Sequence, residues 1–185
     1  MKLFIILAFV STNLFAADCS YELKKEDLKV EWTAFKTPLK IGVKGSFDKL
    51  GVKKDAKGKD LASLLSGIPF LIDVQSVNTG NKDRDLKIYN YFFAPVGPTI
   101  KGEVLKYEKS VLKVAITMNG VTKIVPLKVT SEDSSFVADG VIDVLDFNLA
   151  FSLKGINNAC KDLHEGKTWS DVSIKLSGKY TQTCK

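Results

Sequence analysis

The sequence predicts an all-β fold: an antiparallel sheet of roughly eight strands closed into an extended barrel, with one or two short helices. Three observations predict it. Apolar and polar residues alternate along most of the chain, as in strands with one dry and one wet face. The alternating runs recur at hairpin spacing, with no repeat, low-complexity linker or domain boundary between them. Asn119-Gly120 separates two of the runs, and both residue types accept the positive φ of a tight hairpin turn. Twisted antiparallel strands in this number gain from closing, because closure removes unpaired edges.

The chain opens MKLFIILAFVSTNLFAADCS. Lys2 supplies a charged start, Leu3 to Val10 an apolar run, and Ala16 and Ala17 a small-residue cleavage site. Residues 1–16 are expected to be a signal peptide cut after Ala16, with Ala17 the next choice. Residues 17–185 then form one exported domain. The apolar run is too short to span a bilayer, which needs about 20 residues. Asp18 stands where a lipid-attachment motif before Cys19 would need a small residue, so no lipid anchor is expected.

The first strand runs through Leu28, Val30, Trp32 and Ala34. Leu39, Ile41, Val43, Gly45 and Phe47 return against it. Phe70, Ile72 and Val74 continue the theme. Leu112, Val114, Ile116 and Met118 lead into the Asn119-Gly120 turn, and Val125, Leu127 and Val129 run back. Leu145, Phe147, Leu149, Phe151 and Leu153 alternate with polar or small residues and read as another strand. Val172, Ile174, Leu176, Gly178 and Tyr180 close the chain.

Two stretches break the period. Residues 59–66 place Leu61, Leu64 and Leu65 at helical spacing. Residues 83–93 place Leu86, Tyr89 and Phe93 on one helical stripe with Phe92 beside it, and Pro95 and Pro98 end the helix. Ahead of it, residues 78–85 (NTGNKDRD) are dense in polar groups. Asp83 or Asp85 is expected to cap the helix, and Arg84 to fix the turn by charge-assisted hydrogen bonds or to meet a polar ligand head.

The charge balance, 27 Lys+Arg against 21 Asp+Glu, is carried almost wholly by lysine, with Arg84 the one arginine. Specific nucleic-acid readers rely on arginine for bidentate contacts, so no nucleic-acid partner is expected. Scattered lysines read as a solvated face, with at most transient contact at an anionic membrane surface. One histidine excludes the His-rich metal sites. His164 has Asp162, Glu165 and Ser170 nearby in sequence, but no G-x-S-x-G accompanies them. A hydrolytic or lipid-modifying enzyme using His164 is therefore the alternative, and catalysis is not expected.

An exported chain permits a disulfide. Cys19 and Cys184 lie at opposite ends, and the strands of a closed barrel would bring them together. That pair is favoured; Cys160 paired with either end is the rival.

The chain resembles the YceI-like family of exported bacterial lipid-binding proteins in four places. Residues 30–47 are similar to the family's early strands with their G-x-F close. Residues 70–86, followed by Tyr91-Phe92-Phe93, are similar to the family's turn containing Arg-Asp that leads into an aromatic helix. Lys101-Gly102-Glu103 and the final strand from Asp171 to Leu176 complete the match. One departure follows Leu153, where relatives often carry an N-R-x-D-F-G-like segment and this chain reads KGINNACKDLH.

The resemblance implies a lipocalin-like barrel in the periplasm, holding a polyisoprenoid or other long-chain amphiphile and needing no other cofactor or metal. Homodimers occur in the family. The candidate ligand-binding set is Trp32, Phe35, Ile41, Val43, Phe47, Phe70, Ile72, Arg84, Leu86, Tyr89, Phe92, Phe93, Phe147, Leu149 and Phe151. A third possibility is a ligand-free, stress-related structural protein whose lumen is plugged by its own side chains.

Overall fold

The computed structural model describes residues 18–53 and 55–185, so the expected signal peptide lies outside the described residues. The strands are β1 (Cys19–Leu23), β2 (Lys29–Lys36), β3 (Ile41–Phe47), β4 (Leu50–Val52), β5 (Ala56–Gly58), β6 (Ile68–Asp73), β7 (Val77–Asn78), β8 (Thr99–Glu108), β9 (Val111–Met118), β10 (Val121–Glu132), β11 (Ser135–Asp143) and β12 (Thr168–Cys184). The helices are α1 (Leu61–Leu65), α2 (Lys82–Ile88) and α3 (Ala150–Ala159).

All pairings are antiparallel, in the order β4-β6-β8-β9-β10-β11-β12-β2-β3-β7, with β1 joining β12 to β5. The sheet curls back on itself. Its outermost strands, β4 and β7, are continuations of β3 and β6 around two corners. The corners are tied together: Asp48 N donates to Ser76 O at 2.9 Å and Asp73 N to Lys49 O at 3.2 Å. Among the described residues the sheet has 12 strands, where the sequence pattern predicts about eight. The excess has a physical origin. Two strands are broken by corners, and β1 and β5 are too short to show a period.

The chief correction concerns residues 145–153. They form a 3-10 turn (Val144–Phe147), a left-handed residue at Asn148 (φ 58°) and the start of α3. Alternation and helical spacing coincide at i and i+4, so Leu149 and Leu153 fit both. Ile156 and Cys160 then extend the stripe at helical spacing, and the helix wins. Asn119-Gly120 turns as predicted, with φ values of 49° and 73°.

The core lies inside the curl. Leu23, Leu112, Phe136 and Ala138 are almost wholly buried. Aromatic rings lie flat across glycines of the neighbouring strand. Trp32 covers its register partner Gly45, and Phe70 covers Gly102, so closely that a Cβ at either glycine would collide with the ring. Glycine here keeps the large rings against the wall and leaves the lumen open.

At one end of β12, Cys19 and Cys184 are register partners joined by a disulfide across 165 residues of sequence. Cys160 is free and buried, which settles the pairing the sequence left open.

Candidate functional site

The interior holds a cavity of about 470 Å³. Its walls are nearly all aliphatic or aromatic. Inward residues of β2 (Val30, Trp32, Ala34), β9 (Leu112, Val114, Ile116, Met118) and β12 (Val172, Ile174, Leu176) contribute three stretches of that wall. Most polar groups gather at one mouth: Lys36 at the end of β2, Asn81 at the cap of α2, Asp83, Arg84 and Lys87 from α2 itself, and His164 and Thr168 where the chain enters β12; Lys175, farther along β12, is exposed.

The α2 segment is oriented by its turn. Asn81, rather than Asp83 or Asp85, caps the helix by accepting from Arg84 N at 3.0 Å. Arg84 Nε donates to Thr79 Oγ1 at 2.8 Å, and its terminal nitrogen donates to Thr79 O at 2.9 Å. The Asp85 carboxylate accepts from the Thr79 N–H and hydroxyl. These bonds set the rotation of α2 about its axis. Arg84, Lys87 and Ile88 face the mouth, and Leu86 turns outward with 60% of its surface exposed.

A single wide turn, Tyr89–Phe93, follows, closed by Ala94 N donating to Tyr89 O at 2.8 Å. Turns of this type recur at functional sites. Phe92 and Phe93 both reach the cavity. Their rings meet edge to face at 5.1 Å, and Phe93 meets Phe47 at 5.6 Å.

Of the residues expected in the lumen, Trp32, Phe35, Val43, Phe47, Phe70, Ile72, Arg84, Phe92 and Phe93 line the cavity. Ile41 does not: it sits at the hairpin end of β3, half exposed. Tyr89 is turned away, its hydroxyl accepting from Gln75 Nε2 at 2.9 Å. Phe147 and Leu149 are buried in the core outside the cavity wall, and Phe151 points to solvent. All three follow from helix replacing strand over residues 145–153.

Val114, Ile116, Ile174 and Leu176 line the cavity from dry-face positions of strands already recognised. Lys36, Lys87 and His164 carried no local signal. Their place at the mouth depends on which strand ends the fold brings together.

His164 is held by Thr168, its Nδ1 lying 2.8 Å from Oγ1. That hydroxyl donates onward to Asn157 Oδ1 at 2.9 Å, so the imidazole donates from Nδ1 and accepts nothing there. Burial, and then the Lys36 charge, push its pKa below the ordinary value. Ser170 donates instead to Asp143 at 3.0 Å. Among the described residues no carboxylate bonds His164 and no His/Cys/Asp/Glu group could hold a metal ion. The Trp32 indole N–H is buried without a partner.

The fold is shared with solved structures. A polyisoprenoid binding domain from Saccharophagus degradans, described as implicated in plant cell wall breakdown, aligns over 89% of this chain and 98% of its own, with TM-score 0.57 and 16% identity. BcnA of Burkholderia cenocepacia aligns over 86% and 99%, with TM-score 0.53 and 17% identity. A Campylobacter jejuni YCEI protein aligns over 77% and 85%, with TM-score 0.51 and 20% identity. No curated protein matches. The family profile of the YceI-like domain matches residues 21–179, nearly the whole of the curled sheet, and on that match the chain belongs to the YceI-like family.

Proposed function

We propose that this protein is a periplasmic carrier that holds a polyisoprenoid or another long-chain amphiphile in its lumen and is not an enzyme. The observation that carries the reading is the cavity: about 470 Å³, lined mostly by apolar side chains, with most of its charged groups at one mouth. That volume falls among ligand sites of about 300–1,000 Å³. A tail would lie against Trp32, Phe70 and the β9 and β12 walls, and a polar head would meet Arg84, Lys87 and Lys36. The likeness to a polyisoprenoid binding domain supports the ligand class. An open cavity speaks against a lumen plugged by its own side chains.

Each methylene removed from water contributes about 0.8 kcal/mol. The competing state of such a lipid is the bilayer, which is equally dry. Net affinity is then set by shape, head contacts and chain entropy, and stays modest relative to the membrane. That balance suits a carrier that must also release.

The test is solvent extraction of protein purified under non-denaturing conditions, followed by mass spectrometry. The reading expects an isoprenoid or similar amphiphile near one per chain, or uptake of added polyprenol to that level. Neither lipid nor uptake would overturn it.

A further inference from the structure

Beside the mouth stands a feature that lipid carriage inside the lumen leaves unexplained. The β2–β3 hairpin turns through Thr37-Pro38-Leu39-Lys40 and presents Leu39 with 82% of its surface in solvent, and Ile41 with 49%. This turn is held stiffly. Thr37 N donates to Lys167 O at 2.9 Å, and the Trp169 indole donates to Thr37 O at 2.8 Å. Thr37 and Lys40 occupy the left-handed region, at φ 61° and 57°. A β-branched residue resists that conformation, which persists only where its surroundings impose it. A leucine at the apex of a rigid, strained turn is displayed rather than left over.

The surroundings share its character. Leu163, 62% exposed, lines the mouth from the adjacent loop. Trp169 lies beneath two lysines, with Lys40 Nζ 5.0 Å and Lys167 Nζ 4.6 Å from the ring. Apolar tips with tryptophan and lysine behind them are the composition of a membrane–water boundary. Lys36, Arg84 and Lys87 add positive charge around the same opening. The opposing acids are Asp83, Asp171 (bound to Lys40 at 2.7 Å), and the loop's Asp162 and Glu165, the last two offset by Lys161 and Lys167. The balance stays positive.

We propose that this end of the molecule, with Leu39, Ile41 and Leu163 as its apolar prongs, docks on an anionic bilayer surface and sets the cavity mouth against the lipid. The proposal names the loading surface of the carrier reading and rests on that reading for its purpose. Its geometry is tested separately.

The experiment is co-sedimentation of the disulfide-bonded chain with phosphatidylglycerol vesicles and with phosphatidylcholine vesicles. Binding is expected to the anionic vesicles and to weaken as salt rises from about 0.05 to about 0.5 M. Leu39→Asp, at a solvent-exposed position, should leave the urea midpoint unchanged and lower partitioning by about tenfold. Lys167→Glu should lower it by about fivefold or more. Ile124→Asp, on the outer wall at 63% exposure, should lower it little.

No preference for anionic vesicles, or equal losses in the Leu39 and Ile124 variants, would overturn the proposal. So would Leu39-dependent self-association in solution, which would make a second copy the occupant. Lipid content by extraction is read on the same preparations. Bound lipid without vesicle docking sinks the docking surface alone; docking without any lipid sinks the carrier reading alone.

Discussion

The two ends of β12 lead into different kinds of structure. At Cys184 the strand is flanked by β1, and the Cys19–Cys184 bridge joins register partners there. The Tyr21 and Tyr180 rings pack at a tilt of 47° with centroids 5.8 Å apart, Leu23 is completely buried, and Gly178 lets the Phe136 ring pass close by. At Thr168 the same strand enters a region of turns, left-handed residues and exposed leucines around an open mouth. One end is stapled and filled, and the other displays polar and apolar groups to the outside. The carrier reading thus puts stability at one end of the strand and binding at the other, as expected where a scaffold holds a binding region.

Breaking the staple tests the first half of that contrast and should have the largest effect. Cys19→Ser, or reduction of the wild type, should lower unfolding free energy by about 3–5 kcal/mol, because the bridge constrains a very long loop of the unfolded chain. Urea denaturation with and without reductant measures it. Lipid bound per folded chain should not change.

At the mouth, Arg84→Ala removes two hydrogen bonds to Thr79. On this exposed turn the cost to global stability should be about 1 kcal/mol. Hydrogen exchange should rise in α2 while β1 and β12 near Cys184 keep their protection. Equal loosening at both ends would contradict the separation.

The smallest effect is the pH response of His164. Burial, then Lys36, hold its pKa below 6.5. The folded state therefore takes up its proton less readily than the unfolded chain. Stability is whole above about pH 6.5 and falls as pH drops through the lower folded value. This is the sole histidine, so His164→Gln should flatten thermal midpoints measured between about pH 7.5 and 5.5.

The barrel wall was legible in the sequence because a two-residue period follows directly from one face being dry. Trp32, Val43, Phe70 and Ile174 point inward for that reason alone. The helices were legible where leucines or aromatics recur at helical spacing, although the rotation of α2 was not. It is fixed by Thr79, Arg84 and Asp85, whose bonds are tertiary detail. Residues 145–153 carry an ambiguous pattern, because Leu149 and Leu153 satisfy both periods, and the structure resolves it as turn and helix. The mouth was the least legible part. Lys36, Lys87 and His164 come together through register and chain reversal, and no local pattern announces that.

The central claim is that the lumen itself is the lipid site, and Gly45→Val tests it most directly. A Cβ at this glycine has atoms of the Trp32 ring as its three nearest neighbours, too close to coexist, so the ring is pushed toward the cavity it lines. Overpacking of this kind costs about 1–3 kcal/mol, which the disulfide-bonded chain should survive. Lipid extracted per folded chain is the readout, with Ile174→Trp as a second way to fill the same space. The account predicts wild type near one lipid per chain and both variants well below it, with the sheet intact by circular dichroism. Folded variants that carry as much lipid as wild type would contradict it.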